Sequence, residues 1–170
     1  MNLSELVSQW RSSIPDPRVG LPEDVFLFVS SVTPLVNVDL LIQDEAGRTL
    51  LTWREDGLYP PSWHVPGGIV RYQEKMADRV VAVAEDELGV KIRFQPEPLA
   101  VNEVICPEQK VRGHFISFLF TCKLQSPLDE SQRHDPTSRR PGTWAWHDAC
   151  PGDLISVHEI YRKFFRRGVL

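Results

Sequence analysis

The residues best suited to chemistry in this 170-residue chain are the acids of segment 74–88. Read as a helix, the segment carries an apolar stripe with the i, i+4, i+7, i+8 spacing of a core-facing surface, formed by Met76, Val80, Val83 and Ala84. Asp78 and Glu85 point away from this stripe, but Glu87 falls in its middle. A carboxylate placed among core residues is costly unless its charge is compensated.

Glu87 allows two interpretations. As a metal ligand it would be compensated by a divalent cation, and Mg²⁺ takes oxygen ligands while it keeps several of its waters. As an ordinary residue at a helix end it would pair with an arginine or reach water. Whether Glu87 is a metal ligand depends on the segments that flank the helix.

The flanking segments indicate mixed α and β structure around one sheet. Two short helices are predicted near the N-terminus, one capped by Asn2 or Ser4 and one beginning near Glu23. Two β-rich runs flank a turn in which Gly47 supplies a positive φ, which predicts a hairpin, and Gly89 is expected to end helix 74–88.

The second half of the chain is predicted to be mostly β. Strands are expected in segments 90–106 and 112–124, and a short strand in 143–148, after a polar loop over 126–142. An amphipathic helix is predicted over 153–168.

Composition argues against several classes of partner. The net charge of −4 disfavours nucleic acid and anionic membranes, and no apolar run approaches the roughly 18 residues of a membrane span. The three cysteines show no CxxC pattern, and the first residues lack the pattern of a secretory signal. We therefore expect a cytoplasmic protein with reduced thiols.

Segment 67–90 resembles the Nudix box, Gly-x5-Glu-x7-Arg-Glu-hydrophobic-x-Glu-Glu-x-Gly-hydrophobic. The matching positions are Gly68, Glu74, Glu87, Gly89 and Val90, with Ala84 in the first hydrophobic position. Asp86 replaces the first glutamate of the Glu-Glu pair, and the Arg-Glu pair has become Ala82 and Val83. The loss of an acid at Val83 implies fewer metal ligands than a Nudix enzyme normally has.

The resemblance extends beyond the box to one branch of the superfamily, the GDP-mannose mannosyl hydrolases. The segments "TPLVNVDLLI", "GRTLLTWR", "WHVPGG" and "AEDELGV" are similar to segments of that branch, in the same order, and the likeness runs from about residue 22 to 167. It implies an N-terminal extension over 1–20 and a Nudix hydrolase domain over 21–170. The implied fold is α/β, a mixed β-sheet sandwiched between helices (α/β/α).

The resemblance also implies roles for single residues. Glu87 corresponds to the glutamate that holds one Mg²⁺, for which Mn²⁺ is an alternative, and Gly67 to a glycine whose carbonyl completes the metal shell. Asp86 is a further candidate ligand. Asp39 matches an aspartate that contacts the substrate, and Arg54 an arginine that faces the diphosphate, where a fixed fork of donors stabilises charge on the leaving group.

Several positions depart from the branch. Ile69 stands where the branch has an arginine directly after Gly-Gly, and Arg71 is the candidate substitute. Phe115 stands where the branch has a substrate-contacting tyrosine, so the contact would lack the hydroxyl.

The general base is the largest departure. Arg140 and Pro141 replace the Gln-His pair that would bind the metal and activate water. A gapped alignment offers His134 instead, and an imidazole suits that role near pH 7. His64 is another candidate, and Arg139 with Arg140 offers a phosphate contact. Each also has a plain interpretation, as a solvated loop residue or a turn histidine.

These features predict a Mg²⁺-dependent Nudix hydrolase acting on a nucleoside diphosphate linked to another group, such as the nucleotide sugar GDP-mannose. The resemblance also implies a homodimer. Water would attack either the sugar carbon or a phosphorus atom. The alternative is a degenerate Nudix module that binds a nucleotide or a protein partner without turnover, which Val83 and the missing base favour.

Overall fold

The computed structural model describes residues 2–165. The helices are α1 (Leu3–Ser12), α2 (Glu23–Val32) and α3 (Met76–Leu88), with 3₁₀ helices at Glu130–Gln132 and Ser156–Phe164. The strands are β1 (Leu35–Ile42), β2 (Thr49–Arg54), β3 (Ser62–His64), β4 (Gly67–Ile69), β5 (Ile92–Phe94), β6 (Ala100–Ile105), β7 (His114–Leu124) and β8 (Trp144–His147).

The strands divide between two sheets, where the sequence predicted one. A five-stranded sheet has the order β4-β1-β7-β5, with β6 also paired to β7, and a three-stranded sheet has the order β3-β2-β8. Strands β1 and β7 run parallel, while the other pairs are antiparallel. The α/β class predicted from the sequence is confirmed.

The predicted hairpin is correct in its turn and wrong in its pairing. Gly47 has a φ of 81° and donates its N–H to the carbonyl of Asp44 at 3.1 Å. Both edges of β1 are already paired, one with β4 and the other with β7. Because no edge of β1 is left, β2 joins the other sheet, and a single bridge between Gln43 and Thr49 links the two strands.

Helix α3 buries the predicted stripe, with one correction. Val80, Val83 and Ala84 are buried in a core cluster with β1 residues, but Met76 is 37% exposed because it is the first residue of the helix. Gly89 ends the helix with a φ of 66°, which confirms its predicted role.

The predicted C-terminal helix is a 3₁₀ helix within the described residues, and positions 166–168 lie outside them. The N–H of His158 bonds the carbonyl of Ile155, three residues earlier, at 2.9 Å. Side chains three residues apart eclipse in this geometry. His158 and Tyr161 therefore share one face, and that face is turned towards β1.

The two N-terminal helices form where the sequence predicted them. Asn2 caps α1 in a reciprocal box with Glu5, each contact being 2.9 Å, and Trp10 packs edge-to-face on Phe28 of α2 at 5.0 Å. None of the helices in the described range 2–165 is long and apolar enough to cross a membrane.

The contact between β4 and α3 predicts a double-mutant result. A Cβ added to Gly68 would lie 2.8 Å from Cγ2 of Val83, so Gly68→Ala should lower the free energy of unfolding by about 1–3 kcal/mol through overpacking. We expect a smaller loss when Val83→Ala makes room, measured by urea unfolding. Gly152→Ala, with nothing within 4 Å of the new Cβ, is the control. Equal losses in both backgrounds would contradict the contact.

Candidate functional site

A cleft of about 530 Å³ lies at the carboxyl end of α3 and is lined by side chains from both sheets and from the C-terminal 3₁₀ helix. The structure brings six of the predicted site residues to this cleft: Asp39, Arg54, Gly67, Asp86, Glu87 and Phe115. His134 and Arg71 are not among its lining residues.

The carboxylate of Glu87 reaches across from α3 to both sheets. Its Oε1 accepts the backbone N–H of Gly67 at 3.1 Å, and its Oε2 accepts the hydroxyl of Thr52 at 3.3 Å. Nε2 of His64 lies 3.4 Å from the same Oε2. Within residues 2–165 no arginine pairs with Glu87, so the arginine-paired form of the ordinary interpretation is wrong, while its other form, a side chain that reaches water, agrees with the 27% exposure of Glu87.

Gly67, the glycine matched to the metal shell, lies in strand β4. It lies opposite Asp39 in the antiparallel register. The next pair along, Leu40 and Pro66, is hydrogen-bonded, because the N–H of Leu40 donates to the carbonyl of Pro66 at 2.8 Å. Hydrogen-bonded and non-bonded pairs alternate in such a ladder, so the peptide groups of Gly67 point away from β1. Its N–H reaches Glu87, and its carbonyl faces the same side.

These oxygens suit a cation that takes few protein ligands. No group of three or more His, Cys, Asp or Glu side chains in the described part of the chain is arranged to hold a metal. Mg²⁺ is commonly bound by one or two carboxylates together with waters and substrate phosphates. Glu87, the carbonyl of Gly67 and the exposed Asp86 fit a Mg²⁺ that is shared with a substrate.

The altered positions of the box have structural roles. Val83 stands where the Nudix box has a glutamate; it is 3% exposed and fills the space beside Gly68, so this position provides no carboxylate. Glu74 pairs with Arg79 in a two-pronged contact of 2.9 and 2.7 Å, although the arginine position of the box is Ala82. Burial acts to raise the pKa of Glu74, but the hydrogen bonds from Arg79 and from the backbone N–H of Arg71, together with the charges of the two arginines, outweigh it, so the pKa is lowered.

Asp39 is held in a buried network that the sequence did not reveal. Its Oδ1 accepts the amide of Asn37 at 2.9 Å, and its Oδ2 accepts the hydroxyls of Tyr161, at 2.6 Å, and Ser117. Burial raises the pKa of Asp39 to about 6, against the hydrogen bonds, which lower it. In the sequence, only the three-residue spacing of His158 and Tyr161 in the last helix could have indicated that both side chains face Asp39.

His158 completes this network as a neutral imidazole. Its Nδ1 accepts the backbone N–H of Val65 at 3.0 Å, which leaves the proton on Nε2, 3.8 Å from Oδ1 of Asp39. Burial, with the nearby charges of His64 and Arg54, holds the pKa of His158 well below 6.5. The neutral imidazole therefore lies beside Asp39, with Nε2 at a distance too long for a direct hydrogen bond.

Arg54 lies on the same face of β2 as Thr52, two residues further along the strand. Its Nε donates to Asp56 at 2.7 Å, and its guanidinium lies 5.5 Å from the centre of the Tyr59 ring. Phe115 presents its ring to the cleft from β7.

Two predicted residues lie elsewhere. The ring of His134 packs 4.6 Å from that of Trp63, and its Nδ1 lies 2.9 Å from the hydroxyl of Thr143, because its backbone bonds to Trp144 beside β8. Burial lowers its pKa. Arg71 is exposed before α3. The geometry does not support His134 as the general base or Arg71 as a substrate ligand.

Comparisons with known proteins agree with the fold. No family model matches the chain. The chain is 36% identical over 118 residues to the low-salt glycan biosynthesis protein Agl8 of Haloferax volcanii, covering 67% of this chain and 74% of that protein. A MutT NUDIX hydrolase from Burkholderia pseudomallei has a TM-score of 0.63 at 22% identity, covering 79% of this chain and 99% of that one. A UDP-X diphosphatase has a TM-score of 0.56 at 21% identity, covering 95% of this chain and 74% of that one. The predicted Nudix fold is confirmed.

The burial of Asp39 predicts a pH-dependent stability. Because its folded pKa of about 6 lies above its unfolded value, the folded state binds the proton more tightly, and that stabilisation is lost as the pH rises through 6. Between pH 4 and 7 we expect wild type to lose about 2 kcal/mol relative to Asp39→Asn in urea unfolding with EDTA. Asp24→Asn on the surface is the control. Parallel pH curves for wild type and Asp39→Asn would contradict the assignment.

Proposed function

We propose that this chain, which belongs to the same family as the glycan biosynthesis protein Agl8, is a Nudix hydrolase that cleaves a nucleoside diphosphate linked to another group, with Mg²⁺ as cofactor. A nucleotide sugar such as GDP-mannose is the proposed substrate. The contact of Glu87 with Gly67 inside the cleft carries this proposal, because it places a carboxylate and a free carbonyl side by side. The glycan biosynthesis role in the name of Agl8 supports a sugar substrate.

In this proposal the residues of the cleft have different roles. Glu87, Gly67 and Asp86 would hold the cation, which neutralises charge on the diphosphate when it is bound. Arg54 stabilises the charge of the leaving group from β2. Asp39 is 1% exposed and already bonded to Asn37, Tyr161 and Ser117, so it would hold the wall of the cleft in place instead of contacting the substrate directly. The ring of Phe115 packs on the face of the substrate's base or sugar.

The size and charge of the molecule support a small-molecule substrate. Ligand clefts commonly measure about 300–1,000 Å³, and this one measures about 530 Å³. The net charge of −4 disfavours nucleic acid. The three free cysteines support a cytoplasmic location, which is part of the proposal.

A binding module without turnover is the second candidate. Two observations favour it: Val83 fills the place of an acid, and His134 lies outside the cleft, which leaves His64 as the candidate base there. In this case Glu87 would hold a metal–nucleotide complex without activating water.

The variant Glu87→Gln separates the two candidates. We expect wild type with Mg²⁺ to turn over one member of a panel of nucleotide sugars, and Glu87→Gln to lower kcat more than about 100-fold, since second-shell changes around a metal alone cost 10- to 100-fold. Glu85→Gln, on the exposed face of α3, is the matched control, and thermal unfolding checks the fold.

The products identify the bond that breaks. In ¹⁸O-labelled water, unlabelled GDP with free mannose indicates attack at the sugar carbon, whereas labelled GDP with free mannose, or GMP with mannose phosphate, indicates attack at phosphorus, and mass spectrometry distinguishes these outcomes. Undiminished turnover in Glu87→Gln would contradict the metal assignment. No turnover by wild type, with nucleotide binding that Glu87→Gln abolishes, would establish the binding module.

We also propose that the protein is a homodimer formed through the apolar face of α1. Leu3, Val7 and Trp10 of this helix are 76%, 48% and 42% exposed, and no residue of α1 is buried in the single chain. We expect Val7→Glu to halve the mass measured by light scattering, while Ser8→Glu, on the same helix, leaves it unchanged. A monomeric wild type would contradict the proposal.

A further inference from the structure

Arg112, in the loop between β6 and β7, is a second arginine on the wall of the cleft. We propose that Arg112 and Arg54 together form an anion-binding subsite that holds a phosphoryl group of the substrate beside the one that meets the metal. The inference rests on the proposed function and deepens it, because the site would then select substrates with two linked phosphoryl groups.

The guanidinium of Arg112 is short of partners. Its Nε is buried and has no hydrogen-bond acceptor among the described residues. None of the ion pairs within residues 2–165 includes Arg112. Its ring contact is Phe26 of α2, 5.8 Å away. A buried donor left unpaired is unfavourable, so an acceptor that reached this N–H would stabilise it.

The charges around Arg112 leave an excess of positive charge. Burial and the neighbouring charge of Arg54 lower the pKa of Arg112, while Asp56 opposes them. Asp56 is already bonded to Arg54 through its Nε at 2.7 Å. Two guanidinium groups therefore share one carboxylate, and a phosphoryl oxygen would neutralise the surplus. The planar fork of arginine matches phosphate geometry in two-pronged contacts.

The backbone holds Arg112 in place before any ligand binds. Its φ is 54°, a left-handed conformation that non-glycine residues rarely adopt, and its N–H donates to the hydroxyl of Ser30 on α2 at 3.2 Å. The loop is closed by the N–H of Cys106 donating to the carbonyl of Gly113 at 2.7 Å. Such strain persists where the surrounding structure enforces it, and it is common at ligand sites.

The subsite also lies in the right direction from the metal ligands. Thr52 donates to Glu87, and Arg54 follows it on the same face of β2, about 7 Å along the strand. A diphosphate with one phosphoryl group near Glu87 would extend its other phosphoryl group towards the two arginines. The side chain of Ile69, which also lines the cleft, offers no charge for this purpose.

Titration with inorganic pyrophosphate and Mg²⁺, followed by calorimetry, tests the subsite. We expect Arg112→Asn to weaken pyrophosphate binding at least about tenfold and orthophosphate binding less than about threefold, because orthophosphate needs only the metal. Asparagine tolerates the left-handed conformation, so the backbone should be preserved. Lys110→Asn, an exposed charge in the same loop, is the matched control and should change neither affinity.

Thermal unfolding distinguishes binding from a structural role. Without ligand, Arg112→Asn should unfold at or above the wild-type temperature, since it removes an unpaired half-buried charge, and it should lose the upward shift caused by pyrophosphate. Unchanged pyrophosphate affinity in Arg112→Asn, an equal loss in Lys110→Asn, or no binding by wild type would each overturn the proposal. If Arg112→Asn fails to fold, Arg112→Lys decides, and an unchanged affinity then overturns it.

The test does not depend on catalysis. If wild type hydrolyses no nucleotide sugar but Arg112→Asn still weakens pyrophosphate binding, the proposed activity fails and the subsite stands. If turnover is observed and Arg112→Asn binds pyrophosphate as wild type does, the activity stands and the subsite fails.

Discussion

Asp39 must keep its hydrogen bonds, because only 1% of its surface is exposed and water cannot replace the partners it would lose. This requirement fixes its neighbours. A side chain on Gly67 would collide with the carboxylate and come within 2.9 Å of the carbonyl of Val38, so β4 can lie against β1 only with glycine there. Ser117 fixes β7 and Tyr161 fixes the C-terminal 3₁₀ helix through hydrogen bonds to the same oxygen, Oδ2 of Asp39. The walls of the cleft are therefore arranged around one carboxylate.

The altered segment that resembles the Nudix box keeps the contacts that position the cleft, although it lacks one of the acids of that box. Arg79 is 5% exposed and ties Glu74 to the body of α3, so the chain before the helix remains anchored. Val83 contributes to the core and to the contact with Gly68. Glu87 then remains as the carboxylate that links the helix to β2 and β4. In the proposed metal site, a cation held by so few protein oxygens would depend strongly on what the substrate contributes.

The sequence predicted the parts of the site that local pattern controls. Helical spacing located Glu87 and the end of α3 at Gly89, and the family resemblance located Asp39 and Arg54, which both line the cleft. It did not predict His158, because the register of a 3₁₀ helix against a distant strand is set by packing and leaves little trace in the residues. It misplaced His134, since polar loop composition does not reveal that an imidazole will pack on Trp63.

The network around Asp39 joins residues that are far apart in the chain. Ser117 lies 78 positions after Asp39, and Tyr161 lies 122 positions after it. During synthesis, β1 leaves the ribosome long before either hydroxyl exists, and its carboxylate must stay hydrated until they arrive. The parallel pairing of β1 with β7 is a non-local contact of the kind that slows folding. A nascent chain can therefore form helix α3 before its C-terminal residues are made, but the cleft cannot close until Tyr161 has emerged.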